Sequence, residues 1–78
     1  MSYQIEFRHI HYFLAVAEDL NFRKEAEHLY ISQPGLSRQI KQMEEGLGVV
    51  LFERHNRKVL LTKAGEYLKK ELDRKSVV

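Results

Sequence analysis

The segment from Ile31 to Glu45 predicts a helix that buries only one of its faces. Ser32 is a residue type that caps free backbone N–H groups, and Pro34 follows within the first turn, where a missing donor costs little. Apolar side chains then recur at helical spacing and predict one buried stripe, made of Leu36, Ile40, Met43 and Leu47. The rest of the fold must therefore cover one side of this helix and leave the other side free.

The opposite face of this helix is polar. At about 100° per residue, Pro34, Arg38, Lys41 and Glu45 point away from the stripe, and Ser37 lies on its flank. A helix that displays hydroxyl, amide and guanidinium groups at its N-terminal end suits the major groove of DNA. The alternative is an ordinary amphipathic helix whose polar face is solvated. The segment alone leaves both interpretations open.

Length and composition limit the possible functions. A chain of 78 residues allows one domain with a modest core. It contains no cysteine, which excludes disulfides and thiolate metal sites. The sequence shows neither a nucleophile–base pair nor a glycine-rich phosphate loop, so nothing in it indicates an enzyme. The histidines do not have the spacing of metal ligands on one helix: they are His9, His11, His28 and His55. We therefore expect no catalysis, no cofactor and no metal.

The positive charge is concentrated in the later part of the chain. Residues 1–31 contain three Lys/Arg and five Asp/Glu, whereas residues 32–62 and 63–78 each contain five Lys/Arg and three Asp/Glu. This distribution is typical of a DNA-facing edge, and also of many solvated helices. No apolar run approaches the ~20 residues of a membrane span, and no signal-peptide pattern is present. We expect a cytoplasmic protein without a membrane partner.

Helical spacing of apolar residues predicts two helices before this segment. The first covers about residues 7–19 and is a core helix whose apolar stripe begins at Phe7. The second follows the capping residue Asn21 and runs to Leu29. The third helix should end at Gly48, which can adopt the left-handed conformation. Two helices joined by so short a turn, with the second one displayed, predict a helix-turn-helix.

The remaining sequence predicts a hairpin and a last helix. Two apolar runs, Val49–Arg54 and 59–61, flank the polar turn 55–58. Thr62 then caps a helix that reaches about residue 76 and has the apolar stripe Ala64, Tyr67, Leu68 and Leu72. The predicted fold is mainly α: a winged helix-turn-helix with a three-helix core, a small β-hairpin wing and a C-terminal helix. We assign residues 1–62 to the winged helix-turn-helix domain and 63–78 to the last helix.

A long motif at fixed spacing connects these elements. Ser32-Gln33-Pro34-x-Leu36-Ser37-x-Gln39-Ile40 is followed by Glu44, Leu47-Gly48, Leu51-Phe52-x-Arg54 and Leu61-Thr62-x-Ala64-Gly65. Over about residues 6–72 the chain resembles the N-terminal DNA-binding domain of LysR-type transcriptional regulators. The resemblance implies a regulator that binds a two-fold related operator in double-stranded DNA as a homodimer. It also implies that the effector-binding domain of the family is missing from this chain.

The resemblance implies DNA contacts from the third helix and from the wing. Arg38 can bind phosphate or span guanine O6 and N7, and the amide of Gln33 can pair with an adenine edge. Arg57 matches the minor-groove arginine of the family, and a narrow groove favours such a cation. Arg54 is expected to pair with an acidic side chain. The predicted DNA-binding residues are Ser32, Gln33, Pro34, Gly35, Ser37, Arg38, Lys41, Arg57 and Lys58.

The resemblance also implies that the last helix is a linker helix through which two copies dimerise. The predicted dimerisation residues are its apolar stripe: Ala64, Tyr67, Leu68 and Leu72. Two positions depart from the family pattern. Glu25 replaces a small residue, so its carboxylate must reach solvent or find a partner such as Lys24. Gly35 replaces the more usual proline or alanine and removes a side chain close to the DNA.

Two other functions remain open. A short interaction protein could pair with a full-length regulator through the last helix and inactivate it. Sequence-independent packaging of DNA fits less well, because a net charge of +2 is low for that role.

Overall fold

A computed structural model describes residues 5–76 of the chain, with side chains described for residues 5–73. Its elements, in chain order, are α1 (Phe7–Asp19), α2 (Phe22–His28), α3 (Gln33–Leu47), β1 (Phe52–His55), β2 (Lys58–Leu61) and α4 (Lys63–Ser76). This is the predicted winged helix-turn-helix plan. Residues 1–4 and 77–78, which the predicted domain and last helix include, lie outside the described residues.

One hydrophobic core joins the first three helices to the start of the wing. Its buried members are Phe13, Val16, Ala17, Phe22, Ala26, Leu36, Ile40, Met43, Leu51 and Phe52. Three of the four residues predicted for the stripe of α3 are therefore buried. The prediction for Leu47 was wrong, because this side chain is 42% exposed. It is the last residue of α3, and Gly48 turns the chain there with a left-handed φ of 75°.

At the start of α1 the buried side chain is a histidine, whereas the sequence predicted that the apolar stripe begins at Phe7. Phe7 is 91% exposed, whereas His9 is buried. His9 Nδ1 accepts a hydrogen bond of 3.0 Å from the backbone N–H of Glu6, and His9 Nε2 lies 3.4 Å from Gln42 Oε1 on α3. His9 thus satisfies a free donor at the helix terminus and connects α1 to α3.

The wing is shorter than predicted, because a side chain occupies the backbone donors at its start. The carboxylate of Glu44 accepts hydrogen bonds from the backbone N–H of Leu51 (2.7 Å) and of Phe52 (3.1 Å). β1 and β2 then pair antiparallel from Phe52↔Leu61 to His55↔Lys58. Val49 and Val50, predicted to begin the first strand, precede it and are partly exposed.

The start of α4 is attached to the segment before the wing. Thr62 Oγ1 accepts a hydrogen bond of 3.0 Å from the backbone N–H of Gly65 and donates one of 2.5 Å to the carbonyl of Val50. The backbone N–H of Thr62 also donates to the carbonyl of Leu51 at 3.0 Å. Gly65 is buried in this contact. The cap of α4 is therefore also the joint that orients the helix on the core.

Candidate nucleic-acid interface

The first turn of α3 is capped, and its polar side chains face away from the core. Ser32 Oγ accepts a hydrogen bond of 3.0 Å from the backbone N–H of Gly35, and Pro34 lies in the first turn. This is the predicted cap. The structure leaves Ser32, Gln33, Pro34, Arg38 and Lys41 exposed, and it leaves Gly35 and Ser37 half-buried.

Gly35 lies directly against this cap. A Cβ added at Gly35 would be 2.9 Å from Ser32 Oγ, which is too close unless the serine side chain rotates. Glycine also supplies the backbone N–H that Ser32 accepts, which a proline at this position would lack. Gly35 therefore preserves the cap and removes a side chain from the exposed end of α3.

The tip of the wing is a two-residue turn in an unusual backbone conformation. Asn56 and Arg57 both have positive φ, at 46° and 69°. Positive φ at both central positions defines a type I′ turn, whose twist matches that of the flanking strands. Arg57 is exposed at this tip, with Lys58 and His55 beside it. An arginine in the left-handed region costs about 1 kcal/mol relative to glycine, so the fold holds this side chain at some expense in stability.

A basic cleft brings part of α3 and the wing together. It lies where the starts of α2 and α3 face the wing, and its polar lining includes Gln33, Arg23, Arg54, Arg57 and Lys58. None of its described lining residues is acidic. The cleft is therefore a concentrated positive surface suited to a phosphate backbone.

Two of the predicted cations lie outside this cleft. Arg38 is exposed on α3 but does not line it. Lys41 instead borders a shallow apolar hollow formed with Val49 and Val50, next to the carboxylates of Glu44 and Glu45. The structure therefore places Gln33, and not these two cations, beside the wing.

Arg54 has partners that the sequence analysis missed, and its predicted pairing with an acid was wrong. Its Nη2 donates a hydrogen bond of 2.8 Å to Ser37 Oγ, and its guanidinium carbon lies 4.3 Å from the centre of the Phe22 ring. No acidic side chain within residues 5–73 pairs with it. The alternation of side chains along β1 could have predicted the contact with Phe22. Arg54 follows Phe52 by two residues and therefore lies on the same face of the strand. Phe52 packs edge-on against Phe22.

Glu25 is buried, so the second of the two expected alternatives holds: its carboxylate finds partners, although Lys24 is not one of them. Its side chain hydrogen-bonds Asp19, and its Oε2 lies 3.6 Å from His28 Nδ1. Lys24 pairs with Asp19 at 3.5 Å instead, because adjacent residues on a helix do not face each other. The hydrogen bond with Asp19, together with burial, raises the pKa of Glu25 above the ordinary value of 4.5. The same hydrogen bond lowers the pKa of Asp19.

Most of the predicted dimerisation stripe of α4 packs on the core of its own domain. Ala64, Leu68 and Leu72 are half-buried against that core, whereas Tyr67 is 67% exposed. Of the predicted dimerisation residues, Tyr67 therefore offers a partner the largest free surface. The dimerisation itself stays a prediction.

Neither a metal site nor a membrane helix is found in the described part of the chain. Residues 5–73 contain no group of three or more His, Asp or Glu side chains placed to hold a metal ion. No helix within residues 5–76 is long and apolar enough to cross a membrane.

Comparison with known proteins decides the family. The family model described as "Bacterial regulatory helix-turn-helix protein, lysR family" matches residues 7–66. The chain belongs to the LysR family. Its match covers α1 through the start of α4, so the winged helix-turn-helix seen in the structure is the DNA-binding-domain fold of LysR-type regulators.

Individual LysR-type relatives agree in sequence and structure. The transcriptional regulator AlsR of Bacillus subtilis is 56% identical over 62 residues, which are 80% of this chain and 20% of AlsR. The DNA-binding domain of BenM, a regulator of Acinetobacter baylyi, was solved in complex with catB site 1 DNA; it superimposes with a TM-score of 0.83 at 44% identity, covering 90% of this chain and 79% of that one. A complex of the CbnR DNA-binding domain with DNA gives a TM-score of 0.82 at 44% identity, with 90% and 80% coverage. The chain spans about a fifth of the length of the first curated relatives it matches.

Proposed function

We propose that this chain is a sequence-specific reader of double-stranded DNA that serves a transcriptional regulator rather than an enzyme. The observation that carries the proposal is the arrangement of α3: Leu36, Ile40 and Met43 anchor one face in the core, while the opposite face is exposed and polar. A helix anchored in this way can enter the major groove without losing its packing. Its site of action is then the bacterial cytoplasm, where the chromosome lies.

In this proposal the first turns of α3 read bases. The exposed amide of Gln33 pairs with an adenine edge, and Arg38 spans guanine O6 and N7 or binds a phosphate. Ser32 and Ser37 supply hydroxyl groups for phosphate or base contacts. Pro34 and Gly35 allow close approach of the backbone to the groove. Lys41 lies farther along the helix and contacts a phosphate.

The wing binds the neighbouring minor groove in the same proposal. Arg57 is exposed at the tip of the hairpin, and Lys58 follows it. Both line the basic cleft together with Gln33. A guanidinium at a hairpin tip suits the negative potential of a narrow, A·T-rich minor groove. Lys58 and His55 then contact the flanking phosphates.

Alanine substitution of Arg38 tests the base-reading assignment. The probe is a duplex isolated with the chain itself from a random-sequence library, called the selected duplex below. Arg38→Ala should weaken its binding by about 1–3 kcal/mol and relax the preference at one base pair. Lys70→Ala, which removes a likewise exposed cation from α4, is the matched control and should bind as the parent does. Unchanged affinity in Arg38→Ala would show that α3 is docked differently.

We further propose that two copies pair through α4 on a two-fold related operator. Tyr67 and the half-buried Ala64, Leu68 and Leu72 form the pairing surface. Antiparallel pairing of two such helices would place two copies of α3 about 34–36 Å apart, one turn of DNA. We expect monomer–dimer exchange in free solution and a stable dimer on DNA, where both half-sites hold the two copies together.

Analytical ultracentrifugation across concentration, with and without the selected duplex, tests the pairing. A strictly monomeric complex on a duplex with both half-sites would overturn it. The exposed Tyr67 also suits a second function, in which the chain pairs with a full-length regulator and blocks it. Selection from the random-sequence library separates the two functions, since a purely protein-binding chain would enrich no duplex.

A further inference from the structure

Arg54 is held by contacts from two neighbouring elements, α2 and α3, at the edge of the proposed DNA interface. It lies on β1, its Nη2 donates to Ser37 Oγ on α3 at 2.8 Å, and its guanidinium stacks at 4.3 Å on the ring of Phe22, the first residue of α2. Phe22 is itself fixed, because it is buried against Phe52, whose ring also contacts Phe13. The planar guanidinium therefore rests on a rigid aromatic cluster.

The hydrogen bond from Arg54 limits what Ser37 can do. A serine hydroxyl has one proton to donate and two lone pairs that accept. The arginine N–H occupies one lone pair, and within the described residues the Ser37 hydroxyl donates to no other group. The adjacent positive charge also opposes the approach of a second donor to the same oxygen. What remains to Ser37 is the donation of its own proton.

We propose that Arg54 is a positioning residue that makes Ser37 a hydrogen-bond donor toward DNA. The domain should then prefer an acceptor at the base position that Ser37 faces, such as purine N7, guanine O6 or thymine O4. It should disfavour the amino group of cytosine. This inference rests on the proposed DNA-binding function, and it assigns to Arg54 an effect on sequence preference that acts through Ser37.

A direct phosphate contact by Arg54 is the rival interpretation, because the residue also lines the basic cleft. The two roles differ in what they change. A phosphate contact strengthens binding to every DNA sequence. It also adds about one to the steepness of the plot of log affinity against log salt concentration. A positioning role affects one base position, and its loss has little further effect once Ser37 is removed.

A double-mutant cycle on the selected duplex tests the inference. Ser37→Ala and Arg54→Ala should each lower the affinity about tenfold, and the double variant should lose little more than either single one. Both single variants should flatten the preference at the same base pair in a set of single-base substitutions. Arg57→Ala combined with Ser37→Ala is the matched pair, and its losses should multiply, because Arg57 lies at the wing tip without a contact to Ser37.

Arg54→Met keeps the test valid if Arg54→Ala unfolds, since methionine retains an apolar stem over Phe22 and lacks the donor. The inference would be overturned if the affinity losses of Ser37→Ala and Arg54→Ala multiply in the double variant, or if Arg54→Ala weakens binding to all sequences equally. Either result would leave the proposed function intact. If the parent chain enriches no sequence from the library, the proposed function fails, and this inference fails with it.

Discussion

Gly65 should be the least replaceable glycine of this domain, although it lies within a helix. A Cβ added there would be 2.8 Å from Leu61 Cδ2 and 3.2 Å from the carbonyl carbon of Leu51, with the carbonyl oxygen of Leu51 closer still. Backbone atoms cannot rotate away, so α4 must move off the core. Overpacking of this kind costs about 1–3 kcal/mol. Alanine is favoured over glycine within a helix by about 1 kcal/mol. This gain offsets part of the overpacking cost, but a cost in the upper half of that range still leaves a net loss of stability.

We expect Gly65→Ala to destabilise the domain by about 1–2 kcal/mol, against a total of about 4–12 kcal/mol for a domain of this length. The melting temperature followed by circular dichroism should fall by about 4–16 °C. Gly46→Ala is the matched control, because Gly46 is exposed within α3. There the same substitution should raise the stability by about 1 kcal/mol. A Gly65→Ala variant that melts at or above the parent would refute the close approach of α4 to Leu51.

Three further predictions concern the wing, the buried carboxyl of Glu25 and the core. Arg57→Gly should raise the melting temperature, because it relieves a left-handed φ of 69°, and should weaken DNA binding; a lower melting temperature would contradict the turn geometry. Folding raises the pKa of Glu25, so its protonated side chain stabilises the folded state. This contribution to the free energy of unfolding is present below pH 4.5 and is lost as the pH rises through the raised pKa. In urea unfolding, the stability of Glu25→Gln relative to the parent should therefore increase as the pH rises above 4.5, and a pH-independent difference would exclude this linkage. Leu36→Ala should cost about 2–5 kcal/mol in the same assay, since this side chain is fully buried; a loss below 1 kcal/mol would mean that the core is elsewhere.

The helices could be predicted because their determinants are local. Periodic apolar residues and caps at Asn21 and Ser32 lie within one or two turns of the helix starts that they define, and both caps are made as expected. Phe7 and Leu47 were mispredicted for a shared reason. Each is the terminal residue of its helix. Spacing shows which face is apolar, but it does not show how far the covering elements extend along that face.

The side-chain contacts of the interface could not be predicted, because they join distant residues. Arg54 reaches Ser37 across 17 positions, and Glu44 reaches the backbone of Leu51 and Phe52 across seven and eight. Such partners depend on how the wing folds back onto α3. The position of the turn at residues 55–58 was predicted, but the left-handed conformation of Asn56 and Arg57 was not, because the sequence contains neither Asn-Gly nor Asp-Gly there.

The most direct test of the central claim is the ratio of two dissociation constants. The selected duplex and a scrambled duplex of equal length and composition would be titrated with the chain at one ionic strength of about 150 mM. Specific reading by α3 and the wing predicts binding to the selected duplex at least about 10³-fold tighter than to the scrambled one. Equal affinity for the two duplexes would contradict sequence-specific DNA binding by this domain.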